Sequence, residues 1–168
     1  MNLFILHQRY VENATYHVDR HVVKMPIEAT QLLCTNLRKV GLDYGYQATY
    51  HNHPVTQWVG ASVLNFFWTM QYARALFNEY TYRYERVHKS EEVLDGIFTM
   101  WDDIRRLLPD IEMTPFHLAV SPEFKELEPV DAYRAYYLAK KRRLFKWTKR
   151  EVPYWVDDPP YRLRDYLR

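Results

Sequence analysis

Five polar side chains, His17, His21, Lys24, Glu28 and Gln31, recur at helical spacing inside an otherwise apolar stretch. At 100° per residue, with His17 at 0°, the others fall at about 40°, 340°, 20° and 320°, an arc of roughly 80°. Val18, Val22, Met25, Ala29 and Leu32 lie on one flank, and Val23, Ile27, Cys34 and Leu37 lie towards the other. A surface helix has a wide polar face and a narrower apolar one. Here the proportions are inverted, which predicts a central helix whose polar stripe faces a cleft or a buried network. A carboxylate, an amine and two imidazoles in one row bring a general acid, a general base and a cation together. Asp19, near 200°, falls away from the stripe and reads first as a first-turn carboxylate or ion-pair partner. It has a catalytic role only if the helix starts later. Pro26 removes a backbone donor and predicts a kink or two shorter helices.

His51-Asn52-His53-Pro54 is a second constellation, at the predicted entrance of another helix. Its histidines suit an anion, a base or a sugar oxygen; alternatively Asn52 caps the helix and the rings fill the turn. Metal is a weaker reading. His17 and His21 have the i, i+4 spacing of a zinc chelate but lack the glutamate of H-E-x-x-H. No His-Asp dipeptide occurs, and the single cysteine, Cys34, excludes an internal disulfide or a multi-cysteine site. No metal and no cofactor are expected. The four glycines form neither a dinucleotide fingerprint nor a phosphate-binding loop, and none of the three serines sits in a nucleophile elbow.

Charge is the third signal. The 168 residues carry a net +2, yet eight basic residues fall between 134 and 150 with no Asp or Glu among them. These are Arg134, Lys140, Lys141, Arg142, Arg143, Lys146, Lys149 and Arg150. The remaining 15 basic and 21 acidic residues leave the rest of the chain at −6. Tyr133, Tyr136, Tyr137, Phe145 and Trp147 interleave with the cations. Cations that neutralise phosphates beside aromatics that stack on bases predict a nucleic-acid surface; a solvated basic face is the alternative.

The elements that must position these residues are helical. Apolar periodicity predicts helices over about 15–39, 54–86, 90–108 and 130–147, with proline opening the second and Ser90 capping the third. Trp58 and Asn65 lie on one face of the second, available to a substrate. Residues 109–129, with four prolines, read as an ordered loop, and the segment after Pro153 as an irregular tail packed through Tyr154 and Trp155. Asn2–Leu6 is a short strand or a buried lead-in. The expected architecture is all-α: a single domain over residues 1–168 with four main helices, a basic C-terminal helix and room for one short N-terminal strand. With no membrane-length apolar run and no leader pattern, a cytoplasmic protein is expected, with no membrane partner and no obligate protein partner.

The segments YHVDRHVVKMPIEATQLLCT, ATYHNHPVTQWV, NEYTYRYERVHKS and YRAYYLAKKRRLFKWTKREVPYW span most of the chain. Together they resemble a family of small phage and bacterial proteins labelled pyrimidine-dimer-type DNA glycosylases. The family pattern resembles H-C-D-K-H-V-V-K-M with E-x-A-Q, then T-H-x-N-H-P, then E-Y-x-x-R-Y-x-K-x-H-K. This chain departs from it at Val18, Arg20, Pro26 and Tyr50. The resemblance implies excision of a damaged or modified pyrimidine from DNA, or defence against phages with glucosylated hydroxymethylcytosine. The DNA would be duplex with a flipped base, or single-stranded. Glu28 or Asp19 would stabilise the sugar cation or activate water. Lys24 would offer a Schiff-base route with strand cleavage, and His21, His51 and His53 would protonate the base or meet a phosphate. The rival readings are a metal-dependent phosphoester or nucleotide hydrolase and a non-catalytic nucleic-acid-binding module.

Overall fold

The computed structural model describes residues 1–164 and Tyr166. Helices α1 (Tyr10–Tyr16), α2 (Asp19–Lys39), α3 (Pro54–Gly60) and α4 (Val63–Tyr84) build the centre. Helices α5 (Glu91–Thr99), α6 (Trp101–Leu107) and α7 (Pro129–Lys140) follow, with α8 (Tyr154–Asp157) and α9 (Tyr161–Arg164) in the tail. The described residues contain no strand, so the architecture is all-helical and four main helices is an undercount. Each long predicted helix is divided, and the divisions have local causes.

The first division falls at His17-Val18. The Asn13 carbonyl, which a continuing helix would pair with the His17 N–H, instead meets the His17 ring Nδ1 at 2.7 Å. Val18 is extended, with ψ 154°, and α2 starts at Asp19. The second division is at Gly60-Ala61-Ser62. Ser62 is extended, and its hydroxyl accepts the Asn65 N–H to cap α4. The third falls at Met100, between α5 and α6. Ser90 sits at the start of α5 without a side-chain cap; its N–H goes to His88 Nδ1. The basic helix ends early because the Leu138 carbonyl is taken by Arg142 Nε at 3.1 Å rather than by a backbone N–H. A 3₁₀ turn over Arg142–Leu144 follows. The tail carries α8 and α9 rather than being irregular; Trp155 is buried, whereas Tyr154 is exposed.

Helix α2 packs chiefly against α4, with α1 and α3 beside them. Pro26 lies inside an unbroken α2. The buried face of α2 includes Val22, Met25, Ala29 and Leu32, as its periodicity predicts; of the other flank Cys34 and Leu37 are buried, Ile27 is half-buried and Val23 is exposed. One main apolar core gathers most of the buried side chains, and a small satellite forms around Phe124, Ala132, Ala135 and Leu163. No helix among the described residues is long and apolar enough to cross a membrane.

Asn36 fastens α2 to α3. Its amide donates to the Leu32 and Thr56 carbonyls, both at 2.9 Å, and its oxygen lies against Gly60. A Cβ at Gly60 would stand 2.2 Å from that oxygen. Because both amide protons are engaged, Asn36 cannot swing away freely. Gly60→Ala should therefore lower unfolding free energy by about 1–3 kcal/mol, read from the urea midpoint, and an unchanged midpoint would count against this packing.

Candidate functional site: a carboxylate beside a cationic ridge

The polar stripe divides into a buried half and an open half. His17 is not on α2 at all. It is fully buried at the α1–α2 joint, with Nδ1 donating to the Asn13 carbonyl and Nε2 accepting from the Tyr72 hydroxyl at 3.0 Å. Burial pushes its pKa down to about 3, with Arg83 adding to the effect and the Asn13 bond opposing it. His21 is also buried. Its Nδ1 pairs with the Tyr137 hydroxyl, and its ring stacks on Phe4 at 4.5 Å. Burial, then His17, Lys141 and Lys24, push it down to about 3. Both expected catalytic imidazoles are thus neutral core groups, His17 with both ring nitrogens engaged and His21 with Nδ1 engaged, and this half of the stripe faces a buried network rather than a cleft.

The open half is Lys24, Glu28 and Gln31. Lys24 Nζ lies 2.7 Å from Glu28 Oε1, with the lysine side chain 68% exposed and the glutamate 12%. Glu28 Oε2 accepts the Asn2 N–H at 3.1 Å. Asn2 is held in turn: its amide donates to the Ala119 carbonyl, and its oxygen accepts from the Tyr133 hydroxyl at 2.7 Å. The carboxylate is therefore fixed from the protein side while its lysine reaches into solvent. Gln31 is half-buried beside it on the same helix.

His53 caps α3, the role expected of Asn52: its Nδ1 accepts the Val55 N–H at 3.2 Å. Partial burial lowers its pKa, the Met1 amine and His117 push the same way, and Glu28 opposes them. His53, His117 and Glu28 therefore share one electrostatic neighbourhood. His51 and Asn52 are exposed, and the His51 carbonyl accepts from Lys39 Nζ.

Other expected site residues are scaffolding. Asn65 bonds the Trp58 carbonyl and both the hydroxyl and N–H of Thr114, and Trp58 Nε1 donates to the Thr114 carbonyl at 3.3 Å. The pair pins the proline-rich loop and leaves neither polar group for a substrate. Asp19 accepts from Arg83, from the Thr148 N–H and from the Thr148 hydroxyl. Burial raises its pKa, but the Thr148 bonds and Arg83 outweigh that and hold it below the ordinary carboxylate value. It is the ion-pair partner rather than a free catalytic carboxylate.

The basic cluster is also divided. Arg134 is buried, donates to the Leu6 carbonyl and lies over the rings of Tyr16, Tyr154 and Trp155. Arg150 grips Glu79 with two nitrogens, and Lys149 pairs with Glu85. Trp147 is buried and donates to the Tyr16 carbonyl. Lys140 faces Glu123 at 3.4 Å, and Lys141 lies over Tyr136. Arg142 turns back on its own helix, which leaves Arg143 and Lys146 without a partner among the described residues. Arg20, outside the predicted set, is exposed and likewise unpaired among them. It sits four residues before Lys24 on α2, at 300° on the sequence wheel beside the stripe, so its periodicity was a usable signal. Asn2 carried none, because chain folding alone brings it to Glu28.

Among the described residues no three His, Cys, Asp or Glu side chains gather as a metal site would require. No family model, no curated protein and no solved structure matches the chain. The functional reading therefore rests on the chemistry of these residues.

The two buried imidazoles set an acid limit on stability. Above pH 6.5 neither the folded nor the unfolded chain protonates them, and the full stability is present. As pH falls from 6.5 towards 3, the unfolded chain takes up two protons that the fold refuses. Stability should fall by up to about 1.4 kcal/mol per pH unit for each ring. Urea midpoints at pH 7 and pH 4.5 measure this, and His21→Phe should show about half the dependence. Equal wild-type midpoints would mean that the rings ionise inside the fold.

Proposed function

We propose that this chain is a DNA glycosylase that removes a damaged or modified pyrimidine by hydrolysing its N-glycosidic bond. One observation carries the reading: Glu28 is a fixed, partly shielded carboxylate paired with the exposed Lys24, on the same helix as Arg20, which lines one recess with the exposed Arg143 and Lys146. Such a carboxylate can stabilise the cation that develops at the sugar C1′ as the base departs, or take the proton of the attacking water. Water forms the new C1′–O bond while the C1′–N bond breaks. His53 uses Nδ1 as a cap acceptor, so its ring proton resides on Nε2, where it can hydrogen-bond the departing base while the base takes its proton from water. Lys24 offers the alternative nucleophile, an amine that attacks C1′ and leads to strand cleavage. The cations hold the phosphates and carry no sequence information. A bulky modification such as a glucosylated hydroxymethylcytosine, and with it a role against phages, belongs to the same reading.

The test is incubation with DNA duplexes and single strands that carry different pyrimidine modifications, followed by mass analysis of released bases. Release of a free base, leaving an abasic sugar, is the expected result. Binding without release from any substrate would favour a non-catalytic module, and release of phosphate or nucleotides in place of free base, abolished by chelator and restored by one divalent ion, would favour the hydrolase. Borohydride trapping of a covalent adduct separates Lys24 from water as the nucleophile.

Glu28→Gln should lower turnover by about 100-fold or more while DNA affinity stays within about twofold, because a charge that acts on the transition state leaves ground-state binding alone. Equal losses in both would reduce Glu28 to a structural anchor for Asn2. Neutralising Arg134 or Arg150 should instead lower the urea midpoint rather than change the salt dependence of binding, since both are committed to internal partners. Urea midpoints and salt titrations of the same variants separate these outcomes.

A further inference from the structure

The unpaired cations are not spread evenly along the ridge. Arg20, Arg143 and Lys146 converge on one recess of about 590 Å³, closed by Asp19, Leu144 and Phe145. Asp19 does not neutralise them, because Arg83 and Thr148 already occupy its oxygens. The recess is also built rather than incidental. The Lys146 carbonyl accepts the Asp19 N–H at 2.9 Å, and Thr148 holds the Asp19 side chain. Arg143 rides on a 3₁₀ turn closed by the Leu144 and Phe145 N–H groups. Phe145 packs on Trp147 at 5.0 Å and forms an apolar wall. Three like charges held together without a counter-charge repel one another, and a single tetrahedral anion is the ligand that relieves all three.

We propose that this recess is a dedicated pocket for one backbone phosphate of the DNA strand that Glu28 works on. The proposal rests on the glycosylase reading for its partner. Its spacing follows from α2. Arg20 and Glu28 are eight residues apart on one helix, which is about 12 Å at about 1.5 Å per residue. A duplex strand advances about 3.4 Å per nucleotide along its axis, so with the strand running along α2 the gripped phosphate lies three or four nucleotides from the reacting sugar. The pocket thereby sets the register between backbone and chemistry, and Arg20, Arg143 and Lys146 are positioning residues.

Two binding measurements on the full chain test this. In the first, DNA containing a substrate pyrimidine, or an abasic site in its place, is prepared with a neutral methylphosphonate at each successive linkage. Affinity should fall about tenfold at one linkage three or four nucleotides from the lesion. That dip should vanish in the Arg20→Gln/Arg143→Gln/Lys146→Gln variant, which then binds all members of the series alike. In the second, the log–log salt slope of the triple variant is compared with wild type. Three cations on one phosphate should lower the slope by about 0.9, whereas three independent surface contacts would lower it by about 2.7.

A flat methylphosphonate series with salt-sensitive DNA binding intact would overturn the pocket and leave the glycosylase reading standing. So would a slope change near 2.7. Saturable binding of inorganic phosphate, lost in the triple variant while the series stays flat, would assign the recess to a free anion and overturn the backbone assignment. Absence of salt-sensitive DNA binding in wild type would overturn both readings. Base release with a normal dip, unchanged by the triple substitution, would place the gripped phosphate elsewhere on the ridge.

Discussion

A single buried, non-helical segment governs this fold. Leu3, Phe4, Ile5 and Leu6 run through the interior without a sheet to pair with. Their polar backbone groups still require partners, and side chains supply them. Leu6 donates its N–H to Asn13 Oδ1, and its carbonyl accepts from Arg134 Nε. Asn2 donates its N–H to Glu28. The residues that would otherwise make a functional stripe are drawn into this task. The His21 ring packs flat on Phe4, and His17 closes the hydrogen bond to Tyr72. What remains open to solvent along the stripe is chiefly Lys24.

A second constraint sets the other end of α2. Asp19, Glu79, Arg83 and Arg150 form a charge-balanced network in which Arg83 and Glu79 are fully shielded from water. A buried network of this kind adds little to stability when compared with an apolar replacement, but removal of one member costs about 3–5 kcal/mol because the others lose their partner. Its use here is geometric. It holds residues 146–150 against the start of α2 and the end of α4, and so decides which cations of the C-terminal cluster turn inward and which remain available.

Much of the architecture was legible in the sequence. The helical content, the apolar face of α2, the loop at 109–129 and the structural reading of Asp19 follow from spacing, proline placement and charge. The divisions within the helices were not legible, because they arise where a side chain captures its own helix's carbonyl, as His17 does at Asn13 and Arg142 at Leu138. Periodicity does not register such captures. The burial of His17 and His21 was hidden for a different reason. An inverted helix face predicts a polar network or a cleft equally well, and the choice between them depended on where residues 3–6 would lie. Asn2 beside Glu28 is a contact across 26 positions, and no local pattern encodes it.

The buried N-terminal segment also carries a consequence for biosynthesis. Its partners Tyr133 and Arg134 lie 131 and 128 residues further along the chain than Asn2 and Leu6, which they bind. At translation rates of about 5–20 residues per second, roughly 6–25 s separate the emergence of the segment from that of its last anchors. For that interval four consecutive apolar residues wait with Asn13 and His21 at hand but without Tyr133 and Arg134, in a chain whose most distant contacts must close last. The nascent protein therefore passes through a long period in which its N-terminal end is a natural target for a chaperone that recognises short extended apolar sequences. A ribosome stalled before residue 134 would leave that end permanently exposed.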